Sequence, residues 1–266
     1  MLEFLKKHWI AIIATIGLIQ PLVIALWKRY YRQGKLEIYN TGNIEISYGP
    51  FGPVINIYGT LLALHKNVFV TSMDLKLTRE KDKSQRDFRW FAFKASQSAP
   101  ASKQQPAPEI PYSFMVLPDS PQRYNVVFVD IGQFNTEIRP QFQKYISEWH
   151  KVVAKLKEKM PFTEDSDLSP EVLKEIEEFR KTKIRLDTYG LLDRNCYLEP
   201  GDYSLNFSIK TSRPNQIFVQ DYKFSLNQDQ FDQLRLNVIT ILEEPIANFL
   251  KQQNYPYYSA YAEYKK

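Results

Sequence analysis

Three kinds of spacing succeed one another along the chain. Trp9 to Trp27 is continuously apolar and carries no charge. From Lys35 onward apolar and polar residues alternate with period two, the pattern of strands with one buried face. A middle stretch and a late one switch to period 3.6, the pattern of helices that cover a core.

The alternating part predicts a series of strands. Leu36–Asn40 and Ile44–Tyr48 flank an expected turn at Thr41-Gly42-Asn43, and Gly49-Pro-Phe-Gly-Pro53 makes a rigid double turn. Further strands are expected over Val54–Leu64, Val68–Thr78, Phe88–Phe93, Tyr112–Leu117, Tyr124–Val129, Ser204–Ile209 and Ile217–Leu226. Ala95–Pro111 is rich in Ser, Gln, Ala and Pro and reads as a loop. In the first helical stretch Phe142, Tyr145, Trp149, Val152 and Leu156 make one apolar stripe, widened by Ile146 and Val153. Ser169-Pro170-Glu171 has the residues of a helix start: a capping hydroxyl, proline in the first turn and a carboxylate at the positive end of the dipole. These two helices form an expected insertion over about 134–186. Asn227 and Gln230 are a cap and its third-position partner, opening a C-terminal helix over about 228–252 that contains Pro245.

Leu198-Glu-Pro-Gly-Asp-Tyr203, followed by alternating apolar residues, resembles the tyrosine corner of immunoglobulin and fibronectin-III domains. The resemblance covers about ten residues. It implies a β-sandwich in which the Tyr203 hydroxyl ties the turn to the backbone upstream. The paired cysteines of true immunoglobulin domains are absent, since Cys196 is the only cysteine. The expected fold class is therefore mainly β with inserted helices: a single N-terminal transmembrane helix, then an immunoglobulin-like β-sandwich with a helical insertion and a C-terminal helix. Residues 1–35 form the expected anchor and residues 36–266 the sandwich.

The anchor reading rests on length and flanks. A helix from Trp9 to Trp27 reaches roughly 28 Å, close to the thickness of a bilayer core. Trp9 and Trp27 mark its two interfaces, and Lys28, Arg29 and Arg32 make the heavier basic flank. By the positive-inside rule that flank is cytoplasmic, which places the chain in the plasma (inner) membrane as a single-pass protein with its soluble domain in the cytoplasm. Gln20-Pro21 lies in mid-span, where proline favours a kink and glutamine offers a hydrogen bond to a neighbouring helix.

Charge narrows the partners. Six of the 35 basic residues and one of the 30 acidic residues lie in residues 1–35, which leaves 29 of each sign in the rest. The net charge of +5 thus belongs to the apolar segment and its flanks, and the balanced remainder argues against nucleic acid as a partner. Membrane lipid and a protein partner or second copy are the expected partners.

Candidate chemistry is sparse. His8, His65 and His150 have no second ligand at metal spacing, and no nucleophile elbow, phosphate loop or dinucleotide fingerprint occurs. No catalytic residue, metal or cofactor is expected. The aromatic run Phe88, Trp90, Phe91 and Phe93 offers a peptide- or sugar-binding face, with strand packing as its plainer role. Trp149, Val153 and Leu156 are the expected partner-binding residues on the insertion. The expected function is a non-enzymatic, membrane-anchored interaction or scaffold protein. A membrane effector, whose sensing domain controls assembly of the anchors, is the alternative. An outward-facing glycan-binding domain is a further one.

Overall fold

A computed structural model describes residues 17–27, 34–94, 109–159, 169–252 and 256–264. Its centre is one sheet of nine strands, all paired antiparallel: β1 (Lys35–Gly49), β2 (Gly52–Leu64), β3 (Val68–Arg79), β4 (Gln85–Phe93), β5 (Phe114–Val116), β6 (Gln122–Val129), β7 (Gly201–Arg213), β8 (Asn215–Leu226) and β9 (Ser259–Glu263). The spatial order is β8-β7-β3-β4-β6-β2-β1-β9, with β5 on β3 beyond the end of β4.

This arrangement corrects the expected sandwich. The fold is mixed α/β, and its strands make a single curled sheet rather than two packed ones. The continuity comes from β3, which pairs with β4 on one side and with β7 on the other, so strands before and after the helical insertion join one ladder. The curl is visible in the aromatic interior. Phe207 on β7 lies 6.0 Å from Tyr124 and 5.8 Å from Phe128, both on β6, although β3 and β4 stand between the two strands in the sheet order. At the rim Asn40 on β1 donates to the Tyr222 hydroxyl on β8, and the Tyr222 ring stands 4.2 Å from that of Tyr264. The two ends of the sheet therefore meet, giving a half-barrel.

The expected turn at Thr41-Gly42-Asn43 is a bulge. Both halves of β1 pair with β2, and the register shifts between Asn40 and Ile44 with Gly42 at φ +92°. A glycine at positive φ serves a bulge as readily as a hairpin. Gly59 has a different role. A Cβ there would fall 2.2 Å from the Tyr39 carbonyl and 2.8 Å from the Tyr124 hydroxyl, so only glycine lets Tyr124 reach Asn40 inside the curl.

Four long helices pack beside the sheet: α1 (Arg139–Lys159), α2 (Pro170–Arg180), α3 (Lys183–Asn195) and α4 (Gln228–Phe249). α1 is led in by a short turn, Ile131–Gln133, and a π-helical stretch, Phe134–Ile138. Ser169 caps α2 through the Val172 N–H, and Asn227 with Gln230 forms a full capping box on α4. Two buried phenols tie these elements together, one between sheet and helices and one within the helical layer. Tyr48 on β1 donates to the Leu192 carbonyl at 2.7 Å, and Tyr145 on α1 donates to the Leu242 carbonyl at 2.5 Å. Asn237 of α4 holds both backbone groups of Tyr258 at 2.8 Å, which delivers the chain to β9.

The single-pass anchor is also corrected. The described residues at the N-terminal end, 17–27, are helical. Among the described residues no helix is long and apolar enough to cross a membrane. Gln20, Pro21 and Trp27 lie on this helix with exposed side chains, whereas Trp9, Lys28, Arg29 and Arg32 lie outside the described residues.

Candidate functional site

The face of the sheet turned away from its aromatic interior carries a cavity of about 850 Å³. Register builds its floor. On β1, Ile44 and Ile46 point into the core, so the intervening Glu45 points out. Its cross-strand neighbours are Asn56 on β2 and Tyr261 on β9, and one step along the same face Tyr58 of β2 stands opposite Asn125 of β6. An alternating strand places every second residue on this face, so five polar or aromatic side chains converge without any sequence motif.

Glu45 is only 8% exposed, and its carboxylate is saturated. Asn56 Nδ2 donates to Oε2 at 3.0 Å, Ser259 Oγ to Oε1 at 3.0 Å, and Lys94 Nζ to the two oxygens at 2.9 and 3.2 Å. Burial opposes ionisation of this carboxyl. The donors from Asn56, Lys94 and Ser259 together outweigh it and hold the group below the usual carboxylate range. Partial burial, helped by the Glu45 charge, pushes the neighbouring Tyr58 phenol up to about 12, so it remains a hydrogen-bond donor at neutral pH.

Lys94 is placed by its own backbone, whose N–H donates to the Asn125 carbonyl at 2.9 Å. Its side chain is 43% exposed, so the ammonium faces both Glu45 and the cavity. The buried amide oxygens of Asn56 and Asn125 accept no hydrogen bond among the described residues. Above this floor stand aromatic walls. Phe93 packs at 5.1 Å on Tyr112 and at 5.8 Å on Phe114, while Tyr112 and Tyr261 remain 55% and 60% exposed. Arg123 and Glu109 add one charge of each sign to the lining. The site offers a cation, free acceptors and ring faces, which suits recognition by contact.

The residues expected to bind a partner are elsewhere. Trp149 is wedged between Phe179 at 5.1 Å and Phe249 at 5.6 Å, Leu156 is buried, and Val153 packs partly buried against the same cluster. All three belong to the helical layer's interior. Tyr203 closes its corner as the resemblance implies: its hydroxyl donates to the Glu199 carbonyl at 2.5 Å and its ring stacks on Phe224 at 5.3 Å. Of the aromatic run, Phe93 lines the cavity. Phe88 is core, Trp90 packs edge-on to Phe93, and Phe91 lies 5.0 Å from Phe51.

Among the described residues no three His, Cys, Asp or Glu side chains gather as metal ligands would. Cys196 is buried, and that burial pushes its thiol up to about 12, so it stays protonated at neutral pH. Sequence reasoning missed Glu45, Asn56, Tyr58 and Lys94 because the first three sit on the outward beat of a strand and Lys94 lies just past the end of β4, where solvent exposure is the ordinary expectation. Comparison with known protein families, with curated proteins and with solved structures finds no match to this chain.

Proposed function

We propose that the chain is a non-enzymatic interaction module that engages a polypeptide partner through the cavity on the outer face of its sheet. The observation that carries this reading is the exposure of Tyr112 and Tyr261 around a hydrogen-bonded, charged floor. Rings left more than half in solvent, Tyr112 with Phe93 on one side at 5.1 Å, give the fold little, but they are the residues on which protein interfaces concentrate binding energy. The floor supplies orientation: Lys94 for a carboxylate, and the Asn125 oxygen for an N–H donor.

The test is a phage-displayed peptide library selected against the full chain, with the winning peptides measured on the wild type and on a Tyr112→Ala/Tyr261→Ala variant. Peptides that lose at least tenfold in affinity on the variant, at unchanged melting temperature, support the reading. Peptides that bind both proteins equally overturn it at this cavity, as would a glycan array on which sugars, and not peptides, depend on the two tyrosines.

A further inference from the structure

The closure of the half-barrel is incomplete along a defined stretch. β9 pairs with the outer edge of β1 over Asn43–Ser47, and the Tyr264 N–H adds a bond to the Gly42 carbonyl at 2.8 Å. Lys35–Asn40 pairs with β2 on its other edge, and no described strand takes up its outer one. β8 is the terminal strand at the opposite end of the sheet and, among the described residues, pairs only with β7. These two free edges face each other across a slot of about 350 Å³.

The slot is bounded at both ends. At one, a Cβ on Gly34 would lie 3.2 Å from Pro214 Cδ, so the chain just before β1 touches the β7–β8 turn. At the other, Asn40 bonds Tyr222, and Tyr222 packs on Tyr264. β1 and β8 therefore run in the same direction across the gap: Gly34 beside Pro214, Asn40 beside Tyr222. Every other neighbouring pair in the sheet is antiparallel. One further strand between them, antiparallel to both, is the closure that keeps the ladder antiparallel. β9 already has that direction on the upper half of the same β1 edge, and the slot continues its line.

We propose that this slot binds a short extended peptide segment of a partner protein, about five residues at roughly 3.3 Å each, which adds as a strand antiparallel to β1. Backbone groups supply the affinity. In an antiparallel pair alternate N–H and C=O groups point to each side, so the outer edge of Lys35–Asn40 carries unpaired donors and acceptors. Side chains set the sequence. Leu36, Ile38 and Phe218 face inward, so inward positions of the segment are aliphatic. Outward, Tyr39, Ile217 and Val219 are exposed apolar residues on both banks. Glu37 lies between Lys35 and Tyr39 on the outward row, and the Tyr39 hydroxyl bonded to it at 2.6 Å helps hold its carboxyl below the usual range. The position opposite this carboxylate is filled by lysine or arginine.

The probe is the capped peptide Ala-Thr-Val-Lys-Val-Glu, written to run antiparallel to β1 with its lysine opposite Glu37. Its affinity for the full chain is compared with that of the same peptide N-methylated at every second residue. Backbone pairing predicts at least a tenfold loss on methylation and slowed amide exchange over residues 35–40. On Glu37→Lys the lysine peptide weakens several-fold, and a peptide with glutamate in place of lysine gains. The Tyr112→Ala/Tyr261→Ala variant keeps full binding, which separates this slot from the cavity of the proposed function. Equal binding of methylated and unmethylated peptide overturns the proposal. So does no binding at millimolar peptide, or a self-association of the chain through β8 that the peptide does not compete away.

Discussion

Two buried glutamates with cationic partners lie on different parts of this molecule, and they do opposite things. Glu243 on α4, 6% exposed, accepts from Arg180 at 2.7 and 3.2 Å and from Arg185 at 2.6 Å. Arg180 spends another donor on Glu177, and Arg185 one on the Arg180 carbonyl, so the guanidinium forks are committed within the helical layer. Glu45 is as buried, yet its cation is a single lysine whose flexible stem opens into the outer-face cavity. A planar fork with fixed donors locks α2, α3 and α4 together, whereas an ammonium with rotatable donors can turn to a ligand while keeping its carboxylate. The pairing of charges is alike in both places. What separates a sealed brace from an open cluster is the geometry of the cation and where its remaining donors point.

The sharpest way to break this comparison is to remove each carboxylate. Glu243→Ala leaves two guanidinium groups in the helical layer without their anion, and loss of one partner from a buried pair costs several kcal/mol. Arg180 is 32% exposed, which lets water compensate in part, so the expected loss of unfolding free energy is about 3 kcal/mol. Chemical unfolding in urea measures it. A loss below about 1 kcal/mol would show that the cluster is ordinary surface charge.

Glu45→Ala is expected to cost less, about 2 kcal/mol, because Lys94 can swing into the solvent-filled cavity. The orphaned Asn56 amide then carries most of the penalty. Glu45→Gln keeps an acceptor for Asn56 or Ser259 and should recover roughly half of the loss. Equal costs for Glu45→Ala and Glu243→Ala would erase the distinction between an open and a sealed cluster.

Acidification sharpens it further. The Glu45 carboxyl is held below its ordinary value of 4.5 in the folded chain. A depressed carboxylate contributes stability that is fully present above the unfolded value and is lost as pH falls through the folded one. The stability gap between wild type and Glu45→Gln should therefore be largest at neutral pH and narrow on titration below 4.5. A gap that stays constant down to about pH 3 would mean that the carboxylate is not preferentially ionised in the fold.

Much of the local structure was legible in the sequence, and little of the assembly was. Ser169 and the Asn227–Gln230 pair cap the helices they were expected to cap, because capping is decided within four residues. The Tyr203 corner closes for the same reason: its bond spans four positions. Alternation shows that a strand has two faces but leaves open which strand lies beside it. The β3–β7 pairing, which makes one curled sheet out of an expected sandwich, joins Met73 to Ile209 across the whole helical insertion. The candidate site was hidden by the same gap. Glu45 reads as a solvent-facing beat between two isoleucines, and only the arrival of β9 and Lys94 from distant parts of the chain buries it. The stripe of Trp149 and Leu156 showed the opposite: it was a good predictor of a buried face and carried no information on what would cover it.

The smallest expected effect on stability is the most telling for function. Tyr112 and Tyr261 are more than half exposed, and Tyr261 has only small neighbours in its strand, Ala260 and Ala262. Truncating both removes ring surface that the fold leaves in water, so the double variant Tyr112→Ala/Tyr261→Ala should unfold within about 0.5 kcal/mol of the wild type. Were the rings part of the sheet's packing, as Phe93 and Phe114 are, the same change would cost several kcal/mol. Thermal and urea unfolding of the double variant therefore decide between two uses of an aromatic residue on a strand. A cost near zero leaves the rings available to a partner, and a cost above about 2 kcal/mol assigns them to the core instead.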